Sequence, residues 1–339
     1  MTLTERIDAL CHLGTIMTNF NDEALQTAIT KAHQYNGWFI EDNIRLSLTS
    51  VATFFLQREI LINWALDNQL SDNAHPKTIA IVMAGNIPLV GFHDWLCIFI
   101  SGNYSLIKLS DKDEVLLPFL LQQLQQSFPA VATTTRFSDG VIRNFDAVIA
   151  TGSNNSSHYF ETYFAKYPHI IRKNRNAVAI LTGEESDEEL RRLATDVFQY
   201  FGLGCRNVSK LYVLMGYDFT QLLTVFHEWK EIVLIDRYKN NFDYQMALLL
   251  LNQSPFLNNG CIILKEDARI ASPLATLHYE FYQDVATVKE KLAAHAHEIQ
   301  CIISTNDTPF GEAQSPAIDD YADGVNTLHF VKNIATVVV

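Results

Sequence analysis

The sequence has few cysteines and no pattern that pairs them. Cys11, Cys97, Cys205, Cys261 and Cys301 are scattered along 339 residues with no CxxC. That argues against a zinc site and a disulfide framework, and fits a reducing cytoplasm. Positive charge is also scarce. Lys and Arg number 25 against 38 Asp and Glu, a net charge of −13, so duplex nucleic acid is not an expected partner and an anionic substrate needs a local basic pocket. No apolar run approaches the ~20 residues of a membrane span; residues 89–100 come nearest, and Gly91, His93 and Asp94 interrupt them. The first residues, Met1-Thr2-Leu3-Thr4-Glu5-Arg6, lack the charged-then-apolar layout of a signal peptide. Repeats, low-complexity tracts and an obvious linker are absent too. What remains is a chain with 48% hydrophobic residues, ample for a core and long enough for two domains or one domain with a large excursion.

Residues 4–72 read as helices, with Leu10, Leu13, Ile16 and Met17, then Ile44, Leu48, Val51 and Phe55, at helical spacing. Trp38 and Trp64 read as core, and Pro76 closes the region. Thr78 to Met83 is a continuous apolar run, as a buried parallel strand requires. It ends in Ala84-Gly85-Asn86-Ile87-Pro88. Pro88 suits a first helical turn, and the spacing predicts a helix through residue 100. Tyr104 to Leu109 is a second strand with Lys108 at its end, and Ser110-Asp111 is expected to cap a helix over 112–127. Phe145 to Ala150 is a third strand, followed by Thr151-Gly152-Ser153 and a helical stretch at 156–165. This alternation is the doubly wound α/β pattern. Ligands of such sheets bind beyond the carboxyl ends of the strands, where Asn86, Lys108, Ser110 and Asp111 fall. Gly152 and Ser153 offer backbone N–H groups to a phosphate, or Ser153 is an ordinary N-cap.

Arg172-Lys173-Asn174-Arg175 reads as a solvated entry to the strand Asn176 to Leu181. Glu184 to Glu189 opens a helix, where carboxylates complement the dipole. Strands and helices alternate again over 211–305, with strands at Ile232 to Ile235 and Cys261 to Leu264, and Ala335 to Val339 as an edge strand. Between the acidic helix and the apolar run Leu211 to Met215 lies Phe201-Gly202-Leu203-Gly204-Cys205-Arg206-Asn207-Val208-Ser209-Lys210. A thiol on such a glycine-rich connection has room for a substrate, and Arg206 would favour the thiolate. A small apolar residue in a turn is the alternative. Gly202-Leu203-Gly204 begins a dinucleotide fingerprint but Asn207 breaks it. His295 and His297, two apart on one expected helix, face different ways and make a poor metal pair. His227-Glu228-Trp229 reads as a helix end.

Four of these segments, in order, resemble the aldehyde dehydrogenase superfamily. Ala84 to Pro88 is similar to its (I/W)NFP loop, Gly102-Asn103 through Lys108 to Asp111 to its TGN…VxKxxE segment, and Thr151-Gly152-Ser153 to its FTGS motif. Cys205 holds the place of its nucleophile. Within that superfamily, Asn86 to Asp94 and Gly202 to Lys210 resemble acyl-CoA reductases of the LuxC type, although the chain is shorter than typical members. The resemblance implies an α/β, aldehyde dehydrogenase-like fold: a helical N-terminus and Rossmann-type nicotinamide domain over 1–170, a catalytic α/β domain over 171–310, and a tail over 311–339 that returns to the first domain or to a neighbouring subunit, leaving a homo-oligomer open. It implies reduction of a fatty acyl-CoA or acyl-carrier thioester to an aldehyde by NADPH or NADH. Cys205 would be the nucleophile and Asn86 an oxyanion donor. Lys108, Ser110, Asp111, Gly152 and Ser153 would hold the cofactor. Asp111 favours NADH, whereas Ser110 and Lys108 tolerate a 2′-phosphate and the family points to NADPH. The place of the water-activating Glu of the hydrolytic members falls near Ile171, with Arg172-Lys173 following, and an apolar residue there cannot act as a base; a second cofactor Glu is missing around Ala268 to Pro273. An oxidising aldehyde dehydrogenase and a non-redox thiol acyltransferase or acyl-binding module are the alternatives.

Overall fold

A computed structural model describes residues 1–152 and 154–334, with the side chains at 154 and 155 left aside. The chain divides into two units, one of Met1–Asn174 with the segment from Ala317 onward, the other of Arg175–Pro316.

The first unit opens with four helices: α1 (Leu3–Thr18), α2 (Glu23–Tyr35), α3 (Glu41–Phe54) and α4 (Arg58–Asp67). Thr2 and Glu5 form a capping box on α1, and Asp22 caps α2. There follow β1 (Thr78–Val82), α5 (Phe92–Ile100), β2 (Tyr104–Lys108), α6 (Leu116–Ser127), α7 (Val131–Thr134), β3 (Thr135–Phe137), β4 (Ala147–Thr151), α8 (Asn154–Phe164) and β5 (His169–Arg172). The five strands pair in parallel in the order β3-β2-β1-β4-β5. The order reverses between β1 and β4, which makes that crevice the topological switch point. β1 is apolar on both sides because both faces are covered. Ile79 and Ile81 join the core made with the leading helices, whereas Ala80 joins Val148, Phe145 and Phe164 on the other face. α5 is apolar all round because it is buried all round, from Phe92 through Trp95 to Ile100.

The second unit contains β6 (Asn176–Leu181), α9 (Asp187–Phe198), β7 (Val208–Leu214), α10 (Thr220–Phe226), α11 (Asp236–Leu251), β8 (Leu257–Asn258), β9 (Ile263–Glu266), β10 (Thr276–Tyr282), α12 (Val285–Ala294) and β11 (Ile299–Ile303). Its sheet order is β11-β6-β7-β10-β9-β8, parallel except for the antiparallel β8–β9 edge. The last helix, α13 (Thr327–Lys332), belongs to the first unit and packs on α5.

Several expectations need correction. α5 begins at Phe92, leaving Pro88 in an irregular loop, and α6 begins at Leu116, so Ser110 and Asp111 lie in a turn and cap nothing on that helix. The acidic helix starts at Asp187, with Ser186 as N-cap and Glu189 closing the box. Ile232 to Ile235 is no strand: a 3-10 helix runs from His227 to Leu234, and Leu234 is exposed. The strand expected from Cys261 begins two residues later, at Ile263. α12 ends at Ala294, before His295. Arg172 is not solvated but buried, bonded through its guanidinium to Asp94 at 2.7 Å, the Thr327 hydroxyl at 2.7 Å and the Ala322 carbonyl at 2.6 Å. The expected edge strand at 335–339 lies outside the described residues.

Candidate active site

At the switch point, parallel register sets the three strand ends level, Val82 pairing with both Lys108 and Ala150. Lys108 ends β2 exposed to solvent and forms no ion pair with any described residue. Ser110 and Asp111 follow in the turn, the Ser110 hydroxyl 3.4 Å from the Asp111 carboxylate and accepting from the Lys112 N–H. Gly152 follows β4. Its N–H donates to the Arg172 carbonyl at 3.4 Å, so it is not freely offered, and a Cβ there would sit 2.8 Å from the Phe160 ring. Ser153 lies outside the described residues.

Asn86 is exposed on the loop between β1 and α5, and the loop beneath it is clamped. A Cβ on Gly85 would meet Ser110 Oγ at 2.8 Å, so the β1 and β2 loops touch only because that residue is glycine. The Ser47 hydroxyl donates to the Pro88 carbonyl at 2.9 Å. Leu89 is buried in the left-handed region at φ 58°, a conformation costing about 1–2 kcal/mol. Its N–H donates to Asp113 Oδ2 at 2.9 Å. Asp113 Oδ1 is buried with no hydrogen-bond partner among the described residues. Burial pushes the Asp113 carboxyl up to about 7, against the opposing pull of the Leu89 N–H.

In the second unit, Cys205 occupies the turn Gly204-Cys205-Arg206-Asn207, closed by the Asn207 N–H donating to the Gly204 carbonyl at 3.1 Å. The turn stands at the amino end of β7, half-buried. Asn207 is buried and holds it from within: Oδ1 accepts from the Gly204 N–H at 2.8 Å, while Nδ2 donates to the carbonyls of Asp196 and Gln199, both at 2.9 Å. Tyr200, Phe201 and Gly202, which lead into the turn, are all left-handed at φ 51°, 61° and 75°. The two aromatic residues are buried, and their burial offsets roughly 1–2 kcal/mol of strain each. Asp196, on the last turn of α9, also accepts from the Gly311 N–H at 2.7 Å and the Ala313 N–H at 3.1 Å. Burial pushes its carboxyl up to about 6. Among the other cysteines, burial raises the thiols of Cys11, Cys97 and Cys261, the last to about 11, which disfavours their thiolates.

Glu184 and Glu185 follow the carboxyl end of β6, whereas Cys205 precedes the amino end of its parallel neighbour β7. The six residues of β6 put roughly 20 Å of strand between them. The Glu185 carboxylate is moreover engaged by the Thr182 N–H at 2.6 Å, the Thr182 hydroxyl at 2.9 Å and the Gly183 N–H at 3.0 Å. Ile171 lies within β5, opposite Ala150. Sequence reasoning missed Asn207, Asp196 and Asp113. Only Asn207 had a signal, its place in the glycine-rich stretch.

The family described as Acyl-CoA reductase (LuxC) matches residues 16–222, more than half of the chain. No curated protein matches it in sequence. Among solved structures, aldehyde dehydrogenase 21 of Physcomitrella patens in complex with its product succinate superposes with a TM-score of 0.62 at 14% identity, covering 90% of this chain and 74% of that one. An NADP-dependent enzyme of E. coli gives 0.65 at 13% identity, with 89% and 73% covered. The indole-3-acetaldehyde dehydrogenase of P. syringae, solved with NAD+, gives 0.64 at 13% identity, with 86% and 69% covered. The fold is therefore that of the aldehyde dehydrogenases, and the chain belongs to the LuxC family of acyl-CoA reductases, an oxidoreductase acting on an acyl thioester.

Proposed function

We propose that this acyl-CoA reductase converts a fatty acyl thioester to an aldehyde through an acyl group carried on Cys205. The observation that carries the reading is the Cys205 turn, held by Asn207 behind a left-handed run and placed on a strand end. Cys205 attacks the thioester carbonyl, the carrier thiol leaves, and the acyl-enzyme awaits reduction. The oxyanion is assigned to the Asn86 amide and the Cys205 N–H; one such donor is typically worth about 3 kcal/mol. NADPH, or NADH in its place, supplies the hydride when bound. Lys108, Ser110 and Asp111 fit such a cofactor: an unpaired cation, a hydroxyl and a carboxylate at the carboxyl ends of the strands flanking a switch point. In this reading Lys108 binds the adenosine ribose or its 2′-phosphate, and Gly152 and Ser153 lie along the pyrophosphate. The NADP and NAD of the E. coli and P. syringae structures support that assignment.

Ile171 in the place of a water-activating Glu favours exchange of the acyl group with a thiol over hydrolysis, which speaks against an oxidising aldehyde dehydrogenase. The scattered cysteines, with no CxxC motif, support a cytoplasmic place for the enzyme. Purified protein is tested with NADPH and a panel of acyl-CoAs, followed at the nicotinamide absorbance. Oxidation of NADPH that depends on the acyl-CoA and vanishes in Cys205→Ser supports the reading. Transfer of the acyl group to thiols without any NADPH or NADH consumption would instead mark a non-redox acyltransferase.

A further inference from the structure

Asp113 reaches the loop that carries Asn86 from 24 residues further along the chain. Its carboxylate is bonded to the β1–α5 loop. It holds the N–H of Leu89, a left-handed residue that the loop keeps against its own steric preference. Other ties hold the same loop, among them Ser47 on the Pro88 carbonyl, the Phe92 N–H on the Leu89 carbonyl at 2.9 Å, and the contact of Gly85 with Ser110. The Ser47 bond holds the Pro88–Leu89 peptide plane from its carbonyl side, and Asp113 holds the same plane from its N–H side. Asp113 Oδ1 is buried and has no hydrogen-bond partner among the described residues. A carboxyl placed that way costs free energy to desolvate and recovers only one hydrogen bond. A left-handed residue held in place by a buried carboxyl points to a geometry maintained for function.

We propose that Asp113 is a positioning residue for the reaction: through the Leu89 N–H it fixes the β1–α5 loop so that the exposed Asn86 amide is presented in one orientation. The inference rests on the assignment of Asn86 to the oxyanion. Preorganised donors lose value steeply with misplacement, and an ångström of error can remove about a hundredfold in rate. Asp113 touches neither substrate nor cofactor in this account, so its removal should act on turnover and leave cofactor affinity alone.

The test is a double-mutant cycle on kcat with KM for NADPH measured alongside. Asn86→Ala alone should lower kcat by about 10²–10³-fold. Asp113→Ala should lower it by roughly tenfold to a hundredfold, with KM for NADPH moving less than about twofold. In the Asn86→Ala background the second substitution should cost less than about threefold, because there is no amide left to misplace. Asp113→Asn, which keeps an oxygen for the Leu89 N–H, should recover kcat to within about threefold of wild type. Should Asp113→Ala not fold, Asp113→Ser carries the same cycle, its hydroxyl being too short to reach the Leu89 N–H. Equal factors for Asp113→Ala in both backgrounds overturn the inference, as does an unchanged kcat in the single variant. Full activity in Asn86→Ala is a different failure: it removes the Asn86 assignment itself, and the inference with it.

Discussion

Replacing Asn207 by alanine removes the side chain that closes the Cys205 turn. Three good hydrogen bonds go, one accepted from the Gly204 N–H and two donated to the Asp196 and Gln199 carbonyls. A buried donor or acceptor left unsatisfied costs about 1–3 kcal/mol. The two carbonyls keep a second lone pair for other donors, so the loss should total on the order of 3 kcal/mol. Part of it, at most the strain of about 1–2 kcal/mol of one left-handed residue, is returned, because the buried Tyr200 and Phe201 relax only partly. Stability therefore falls by only about 1–3 kcal/mol, but the turn no longer has a defined geometry, and acylation of Cys205 should slow by about 10²-fold. Asn207→Asp is the sharper probe. It keeps an acceptor for the Gly204 N–H but aims a carboxylate oxygen at two carbonyls, so it should be less stable than Asn207→Ala at pH 8. Its folded-state pKa is then raised, so the folded protein binds the extra proton and stability returns as pH falls toward 5. The assays are urea midpoints by fluorescence and single-turnover acylation followed by intact mass. An alanine variant that acylates at the wild-type rate with an unchanged midpoint would refute the account of the turn.

Further outcomes are expected elsewhere. Lys108→Ala should raise KM for NADPH roughly tenfold, the value of about 1.5 kcal/mol for a charged hydrogen bond, and leave KM for the acyl substrate within about twofold; an unchanged cofactor affinity makes Lys108 a surface charge only. Arg172→Met leaves the Asp94 carboxylate buried without its partner and should cost about 3–5 kcal/mol in urea unfolding; a loss below about 1 kcal/mol contradicts that pairing. Asp196, raised from 3.8 to about 6, binds its proton more tightly in the folded state. It therefore favours folding at low pH, and that contribution is lost as pH rises from about 4 to about 6, by up to about 3 kcal/mol. The difference in stability between wild type and Asp196→Asn should trace that slope, and a pH-independent difference contradicts it.

Much of the first unit was legible because its central strands β1 and β4 are buried on both faces. The continuous apolar run at 78–82 announces a parallel strand without reference to anything distant, 104–108 follows with Leu106 and Ile107 at its centre, and the site residues fall at the carboxyl ends of the two. Ile232-Val233-Leu234-Ile235 is an apolar run of the same kind, yet it winds into a 3-10 helix with Leu234 in solvent; composition alone cannot separate the two. Arg172 was misread because its partners are Asp94, 78 residues earlier, and Thr327, 155 residues later. A basic cluster shows its charge in sequence but not its burial. Asp113 is similarly silent, since its meaning depends on a left-handed Leu89 that lies 24 residues before it. Asn207 stood inside the recognised stretch, but only the carbonyls at the end of α9 reveal why an amide, with one acceptor and two donors, is needed there.

The central claim is that the acyl group passes through Cys205, and one incubation tests it. The protein is mixed with a fatty acyl-CoA in the absence of NADPH and NADH, then analysed by intact mass and peptide mapping. One acyl group should be found on Cys205 and none on Cys11, Cys97, Cys261 or Cys301. It should persist in plain buffer, because the positioned base whose loss slows hydrolysis by about 10²–10⁴-fold is replaced by Ile171 and is not supplied by Glu184 or Glu185. Free CoA should release it as acyl-CoA, and NADPH should release it as the aldehyde. An unmodified Cys205, an acyl group on another cysteine that NADPH converts to aldehyde, or rapid decay in buffer that Glu184→Gln or Glu185→Gln abolishes would contradict the account.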